Sequence, residues 1–487
     1  MPNESTISSP PPPPLPLHST SSIQSVFDSQ SATALKLRSS TAAQRIEKLK
    51  RLRDAVLAHT DDLYAAAYAD FKKPKGEVDL AEILPVCAEA NDAISHLKKW
   101  MKPKRVWPTL LTAGTRSHVQ YMPRGRCLII SPWNYPVNLT FGPLVSAIAA
   151  GNTAIIKPSE LTPHLSALMT RMVRETFASD EVAIFEGEAD VAQSLLDLPF
   201  DHIFFTGSPA IGKRVMAAAA KHLASVTLEL GGKSPTIVDA SANVQLAAQN
   251  IMWAKFANAG QTCIAPDFVF VHESIKDQWV SACRAIIDMA YGKTFDEQQT
   301  NPHLAHIVNA RHTSRVTGLL EDAKARGARV LVGGGMSEPD CFVAPTLLDG
   351  IPADARIMEE EIFGPLLPVI AFNSLDDVIA KINAVPKPLA LYIYSQTDEH
   401  IERVLQQTAS GGACVNHALV HFLHGRLPFG GVNNSGLGNA HGHYGFKAFS
   451  HEKAVVRAQF SLATALFSAG EVPPYLRRVL KSAFKWI

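Results

Sequence analysis

Cys263 lies in the run Asn258-Ala259-Gly260-Gln261-Thr262-Cys263-Ile264-Ala265-Pro266-Asp267. Small and polar neighbours leave its thiol uncrowded, and Gly260 lets backbone approach closely. A second run, Leu228-Glu229-Leu230-Gly231-Gly232, places a carboxylate 263 − 229 = 34 residues upstream, in an apolar strand that turns at two glycines. A thiol and a carboxylate in such settings are the parts of covalent thiol catalysis with a general base. Asn134 stands between Pro132 and Pro136, whose rings fix φ on either side. An amide held that rigidly can donate to a developing oxyanion, although forming a turn is the commoner role of asparagine.

Two further groups suit a phosphate- and ribose-bearing ligand. Gly207-Ser208-Pro209-Ala210-Ile211-Gly212 follows an apolar strand and opens a helix, where free N–H groups favour a pyrophosphate. The spacing is not GxGxxG, and a purely structural turn fits this stretch about as well. Lys157 and Glu160 close the strand Ala154-Ile155-Ile156, at the end where open α/β sheets bind ligands. A solvated loop explains that pair equally well. His417, His421, His424, His441 and His443 cluster late in the chain, but no carboxylate or thiol accompanies them at ligand spacing, so no metal is expected.

These groups must be carried by regular elements, and the chain supplies them. With 487 residues, it exceeds one ordinary hydrophobic core, so two or three domains are expected. Hydrophobic residues make up 46% and charged residues 19%, as in a globular enzyme. The formal charge of +1 gives no electrostatic reason to bind nucleic acid. Six widely spaced cysteines make no disulfide framework, which points to reduced thiols in an intracellular, cytoplasmic setting.

Residues 1–22 are rich in Ser, Thr and Pro and contain no Lys or Arg, so a solvated tail is expected there, with neither signal nor transit peptide. A helical pattern follows from Ser25 to Trp100. From Arg126, short apolar strands (127–131, 153–157, 182–186, 201–206, 225–229) alternate with helices (138–150, 163–177, 210–222). Alternation of this kind predicts βαβ units in a parallel sheet. It resumes after Gly232 with a helix over 244–259, a strand over 267–272, a helix over 275–290 and strands over 342–348, 366–372, 389–395 and 413–416. After Pro473-Pro474, apolar residues Leu476, Val479, Leu480, Ala483, Phe484 and Ile487 fall on one helical face, opposite Arg477, Arg478, Lys481 and Lys485. A basic amphipathic helix of this kind suits weak membrane-surface contact or, more simply, packing on a protein surface.

The four runs around Asn134, Glu229, Cys263 and Glu360-Glu361-Ile362-Phe363-Gly364-Pro365, in this order, resemble the aldehyde dehydrogenase superfamily. Leu427-Pro428-Phe429-Gly430-Gly431-Val432 and Ser435-Gly436-Leu437-Gly438 resemble its class 3 branch, and Phe449-Ser450-His451-Glu452-Lys453 looks closest to coniferyl aldehyde dehydrogenases. The resemblance implies a Rossmann-like cofactor domain (23–108 and 124–230), an α/β catalytic domain (231–438) and a small β oligomerisation arm (109–123 and 439–460), followed by the amphipathic tail 461–487. It implies NAD as cofactor with NADP possible, a small-molecule aldehyde as substrate and a homodimer.

By the same resemblance Cys263 is the nucleophile, Asn134 holds the oxyanion and Glu229 activates water. Lys157 and Glu160 take the adenosine ribose, Gly207, Ser208 and the Gly212 turn the pyrophosphate region, and Glu361 and Phe363 the nicotinamide half. Trp133, Tyr135, Phe268 and Phe422 are candidates for an apolar tunnel suited to aromatic or medium-to-long aliphatic aldehydes, or for core. Two residues depart from the family's pattern: Pro209 where Thr is frequent, and Asn433 where Gly is common. A CoA-acylating enzyme and a catalytically silent binding relative are the competing readings, and the presence of Glu229, Cys263 and Asn134 argues against both.

Overall fold

Strand residues that are apolar on both faces must be covered on both faces, and the first sheet shows how. The computed structural model describes residues 20–109, 112–458 and 474–483. Strands β3 (Arg126–Ile130), β4 (Thr153–Lys157), β5 (Val182–Ile184), β6 (His202–Gly207) and β7 (Ser225–Leu230) run parallel, with the short β17 (Gly436–Leu437) antiparallel at one edge, in the order β17-β7-β6-β3-β4-β5. Alternate residues part to opposite faces. Cys127, Ile129, Ala154 and Ile156 enter one core with helices α2 (Ala42–Ala58), α3 (Thr60–Phe71), α5 (Leu84–Trp100), α6 (Asn138–Ala150) and α7 (Pro163–Thr176). Leu128, Ile130 and Ile155 enter the other with α1 (Thr20–Leu37), α8 (Ala189–Leu196) and α9 (Pro209–Ala220). A one-turn helix α4 (Lys75–Val78) and a π-helical turn (Asp79–Ile83) lead into α5.

A second sheet is built the same way, as the alternation after Gly232 predicts. Its order is β10-β13-β14-β9-β8-β15-β16, where β8 is Pro235–Val238, β9 Phe268–His272, β10 Arg329–Val332, β13 Thr346–Asp349, β14 Leu366–Phe372, β15 Ala390–Tyr394 and β16 Gly412–Val415. Only the edge strand β10 is antiparallel. Helices α10 (Val244–Phe256) and α11 (Lys276–Tyr291) pack on it with Trp279 fully buried. A hairpin of β11 (Met336–Ser337) and β12 (Phe342–Val343) lies apart. The chain is therefore α/β, with two doubly covered, largely parallel sheets.

The third sheet projects. β2 (Thr115–Pro123) pairs along its whole length with β18 (Ser450–Ala458), from Pro123↔Ser450 to Thr115↔Ala458, and β1 (Lys104–Val106) joins its other edge. Residues 459 and 460, at the end of the expected arm, lie outside the described residues.

Three boundaries differ from the sequence reading. The helix preceding the sheets begins at Thr20 rather than after residue 22, because Ile23 and Phe27 have a core to enter; the rest of the Pro-rich tail lies outside the described residues. The segment expected as strand over 342–348 divides into β12 and β13. The helix expected over 244–259 ends at Phe256, because Asn258 and Ala259 take left-handed φ values of 54° and 53°. Near the C-terminus Pro474–Ala483 is helical with Arg477, Arg478 and Lys481 exposed, while Phe484, Lys485 and Ile487 lie outside the described residues. Among the described residues no helix is long and apolar enough to cross a membrane.

Candidate active site

The early end of α10 makes the nucleophile loop. Asn258, Ala259 and Gly260 turn the chain through three consecutive left-handed residues, and Gly260, at φ +74°, passes so near Gly364 that a Cβ would stand 2.3 Å from its carbonyl oxygen. Only glycine fits both conditions. The buried Gln261 side chain then fixes the loop: Nε2 donates to the carbonyls of Asn258 (2.9 Å) and His306 (3.0 Å), and Oε1 accepts from Val308 N (2.9 Å). Tyr392 on β15 donates to Ile264 O (2.6 Å), and Tyr135 shares a hydrogen bond with Thr262 (2.7 Å). Cys263 is thus half-buried on a loop held at both shoulders, its sulfur facing the N–H groups of Cys263 and Ile264.

Asn134 is brought to this loop by a buried ion pair that the sequence reading did not single out. Lys73, with its side chain fully buried, donates to Glu82 Oε1 (2.7 Å) and to Asn134 O (3.0 Å), and its ammonium lies over the rings of Phe71 and Tyr135. Glu82 Oε2 in turn accepts from Val137 N (3.1 Å) and Asn138 N (3.0 Å). Asn258 Nδ2 donates to Asn134 O (2.9 Å), and Asn134 Nδ2 donates to Gln261 O (2.9 Å). Asn258 N donates to Glu77, whose pKa burial lifts to about 7. An alternation of Lys and Glu in a polar stretch gives no hint of burial, so the only available signal was the run of charge before an apolar helix.

One cavity collects most of the expected site residues. Asn134, Thr206, Gly207, Ser208, Glu229 and Cys263 line it, with Glu361, Phe363, Trp133, His312 and Arg315 closing it. Glu229, at the end of β7, is 6% exposed and neither carboxyl oxygen has a hydrogen-bond partner among the described residues. Burial therefore raises its pKa well above the ordinary carboxylate range. Burial also raises the pKa of the Cys263 thiol, and the carboxylates of Glu361 and Glu229 push it further up. Glu361 is lifted to about 8, first by burial and then by Asp267. Burial thus favours the protonated form of both the Cys263 thiol and Glu229.

The Glu361 loop is fixed from outside the cavity. Lys233 pairs with Asp267 and donates to the carbonyls of Ile357 and Glu360 (both 2.8 Å), and Asp267 accepts from Ile362 N (2.8 Å). Phe363 sits at φ 46° with its ring edge-on to Trp133 at 5.3 Å. Gly231 faces the Glu361 carboxylate so closely that a Cβ would come within 2.2 Å of it.

The residues expected to hold a dinucleotide fall in two places. Ser208 caps α9, accepting from Ile211 N (3.4 Å), and Pro209 takes the first helical position, where its missing N–H costs nothing. A Cβ on Gly207 would stand 2.5 Å from the Phe205 ring, so only glycine fits there, and the helix N-terminus that follows suits a pyrophosphate. Gly212 does not line the cavity; it lets α9 pack on β7, where a Cβ would meet Leu230 at 2.6 Å. Lys157 and Glu160 also lie off this cavity, at the end of the neighbouring β4, and pair with each other at 2.6 Å. Ser131 N donates to Lys157 O (3.0 Å), which ties that strand end to the Asn134 loop. The donor set and the space thus fit NAD or NADP.

A second cavity reaches the same thiol from the other side and is almost wholly apolar. Tyr135, Leu139, Trp253, Ile264, Leu419 and Phe422 line it with Cys263, about 170 Å3 in all, and Leu80, Leu84 and Leu423 form its outer wall. Of the four aromatics proposed for a tunnel, Tyr135 and Phe422 are here, Trp133 belongs to the polar cavity, and Phe268 is core against Phe270. The late histidines disperse: His421 contacts Cys414 Sγ (3.1 Å), His441 lies by Glu89 (3.5 Å), and His443 stacks on Phe446. Asn433 takes φ 56°, a conformation glycine adopts freely and asparagine tolerates, and Lys387 holds its side chain at 2.8 Å.

A thiol is thus reached from two sides, beside a buried carboxyl and a clamped amide. The sequence profile of the aldehyde dehydrogenase family matches residues 15–455, and the chain belongs to that family. It is 40% identical to a protein named probable coniferyl aldehyde dehydrogenase of Pseudomonas aeruginosa, over 95% of this chain and 96% of that one. With aldehyde dehydrogenase family 3 member B3 of Mus musculus it shares 41% identity over 85% of each. A substrate-bound AldH structure of Staphylococcus aureus superposes with a TM-score of 0.89 at 41% identity, covering 95% of this chain and 99% of that one. An aldehyde dehydrogenase of Bacillus cereus, 25% identical with a TM-score of 0.82 over 91% and 89% of the two chains, is an NAD+ complex. The chain is thus an NAD(P)-dependent enzyme of the aldehyde dehydrogenase family, in its class 3 branch.

Proposed function

We propose that this enzyme oxidises an apolar aldehyde, aromatic or medium-to-long aliphatic, to its carboxylic acid through a thioester on Cys263. One observation carries the reading: Cys263 lines both the apolar cavity and the polar one that holds Glu229, Asn134 and Glu361. Cys263 gives up its proton to solvent and its sulfur adds to the aldehyde carbon. The resulting oxyanion takes hydrogen bonds from the backbone N–H of Cys263 and the second N–H of Asn134. A nicotinamide held in the polar cavity by Gly207, Ser208, Glu361 and Phe363 would supply the hydride acceptor. Loss of hydride from the carbon on Cys263 leaves an acyl thioester on its sulfur. Glu229, once deprotonated, takes a proton from water, which attacks the thioester; the acid departs and the thiol is restored.

NADH formation from coniferyl aldehyde, benzaldehyde and an alkanal series, with NAD or NADP, tests the reading. The expected result is oxidation by the native chain, NAD preferred, and a loss of at least about 10⁴-fold in Cys263→Ala, on the scale known for nucleophile removal. Persistence of activity without the thiol would overturn it. The projecting sheet β1-β2-β18, with β18 exposed along nearly all its length, supports a homodimer, and sedimentation as a single chain would remove that part.

A further inference from the structure

The apolar cavity does not end at Leu84. Leu84, Pro85, Phe422 and Leu423 also belong to a neighbouring groove that continues past Ala88, Glu89 and Asp92 to Arg426. Asp92 and Arg426 are shared in turn with a third, larger hollow lined by His96, Lys99, Trp100, Lys102, Lys104 and Tyr121. The three spaces follow one another along the length of α5, lined in turn by Leu84 and Ala88, by Asp92, and by His96, Lys99 and Trp100; each four-residue step turns by about 40°, so the trench winds around the helix as it runs. The opposite wall is the chain from Leu419 to Arg426, then His441 to Tyr444. Contacts between the walls hold it there: a Cβ on Gly425 would stand 3.8 Å from Glu89 Oε2, Gly442 N donates to Glu89 (2.6 Å), and Arg426 lies 3.7 Å from Asp92.

The character of this trench changes along its length. At Cys263 it is apolar. In the middle its two acids are already answered, Glu89 by Gly442 N and His441, and Asp92 by His96 and Arg426. At the far end Lys99, Lys102 and Lys104 are exposed and have no ion-pair partner among the described residues. The Lys99 side chain leans toward the N-terminus of α5, back along the trench, as every helical Cβ does. From Leu84 to Lys99 is fifteen residues, about 22 Å at 1.5 Å per residue. An extended carbon chain covers that in about eighteen bonds, at roughly 1.2 Å per bond.

We infer that the trench along α5 is a substrate subsite, and that the enzyme favours long-chain aldehydes carrying an anionic group at the end remote from the aldehyde. This rests on Cys263 being the reacting thiol. The aldehyde would reach Cys263, the chain would lie on the leucine and phenylalanine wall, and the anion would meet the three lysines with Arg426 beside them. Charge-assisted bonds at a site this open are individually weak, so the preference comes from several cations acting together on a tethered group.

The test compares kcat/KM for three aldehydes of about twenty carbons, one ending in a methyl, one in a carboxylate and one in a trimethylammonium, and for a short aldehyde acid too small to span the trench. Each is assayed with the native enzyme and with the triple variant Lys99→Ala/Lys102→Ala/Lys104→Ala, at low and high salt. The long aldehyde acid is expected to exceed its neutral counterpart by about tenfold and the cationic one to fall below it. The triple variant and high salt should erase both differences while the neutral and short substrates keep their rates. Equal rates for the three long substrates, a preference that survives in the triple variant, or the same preference for the short acid would each overturn the subsite and leave the dehydrogenase reading intact. If the native enzyme oxidises none of the panel, the dehydrogenase reading falls and the subsite falls with it.

Discussion

At Cys263 and Glu229 the fold buries two acids and so favours their protonated forms. Burial raises both, and each lies where a carboxylate or thiolate formed later would be poorly solvated. The direction fixes the pH dependence. A base whose pKa is raised works only as pH climbs toward it, so thioester hydrolysis should be slow on the acid side, with its acid limb well above the range of an exposed glutamate. An acid limb placed near 4, where an exposed glutamate titrates, would contradict the burial of Glu229. In Glu229→Gln that limb should disappear from the hydrolytic step, as single-turnover rates between pH 6 and 10 would record. Cys263 and Glu229 were both legible in the sequence, because a small-residue run around a thiol and a lone carboxylate in an apolar strand are unusual. Their protonation was not legible, since it depends on what the fold wraps around them.

Elements decide how firmly those residues are held. Strands β3 to β7 were readable because a fully covered parallel strand is a continuous apolar run. The end of α10 was misread as three further helical residues. Asn258, Ala259 and Gly260 bear no periodic mark against helix, and the left-handed turn arises from tertiary bonds: Glu77 accepts Asn258 N, and Asn134 and Gln261 accept from its side chain. Lys73 and Glu82 were invisible for the same reason. A charge in a sequence gives no sign that it will be buried with a partner from the next turn.

That pair makes a prediction. Lys73→Met leaves Glu82 buried without its cation, which should lower stability by about 3–5 kcal/mol, measured by urea unfolding. It also frees the Asn134 loop, so kcat should fall by more than KM rises, since the oxyanion forms only in the transition state. A variant with native stability and native kcat would show that the ion pair does not position Asn134.

The whole molecule is arranged so that one thiol faces two separate cavities. The first sheet and its helix N-terminus bound the polar one, while α5, α10 and the chain around Phe422 bound the apolar one. Cys263 lies on the loop that joins them, and this is what the order of motifs in the sequence could not give: the runs around Asn134, Glu229, Cys263 and Glu361 are far apart in the chain and meet only because both sheets present their ends to a common cleft. In the proposed mechanism every turnover passes through an acyl group on Cys263. The most direct check is a rapid-mixing experiment on Glu229→Gln with NAD+ and an aldehyde, followed by mass spectrometry. A burst of one NADH per chain, then near-arrest, with the acyl mass on the peptide containing Cys263, is the expected result. Turnover with no burst and no acyl group on Cys263 would contradict the covalent mechanism.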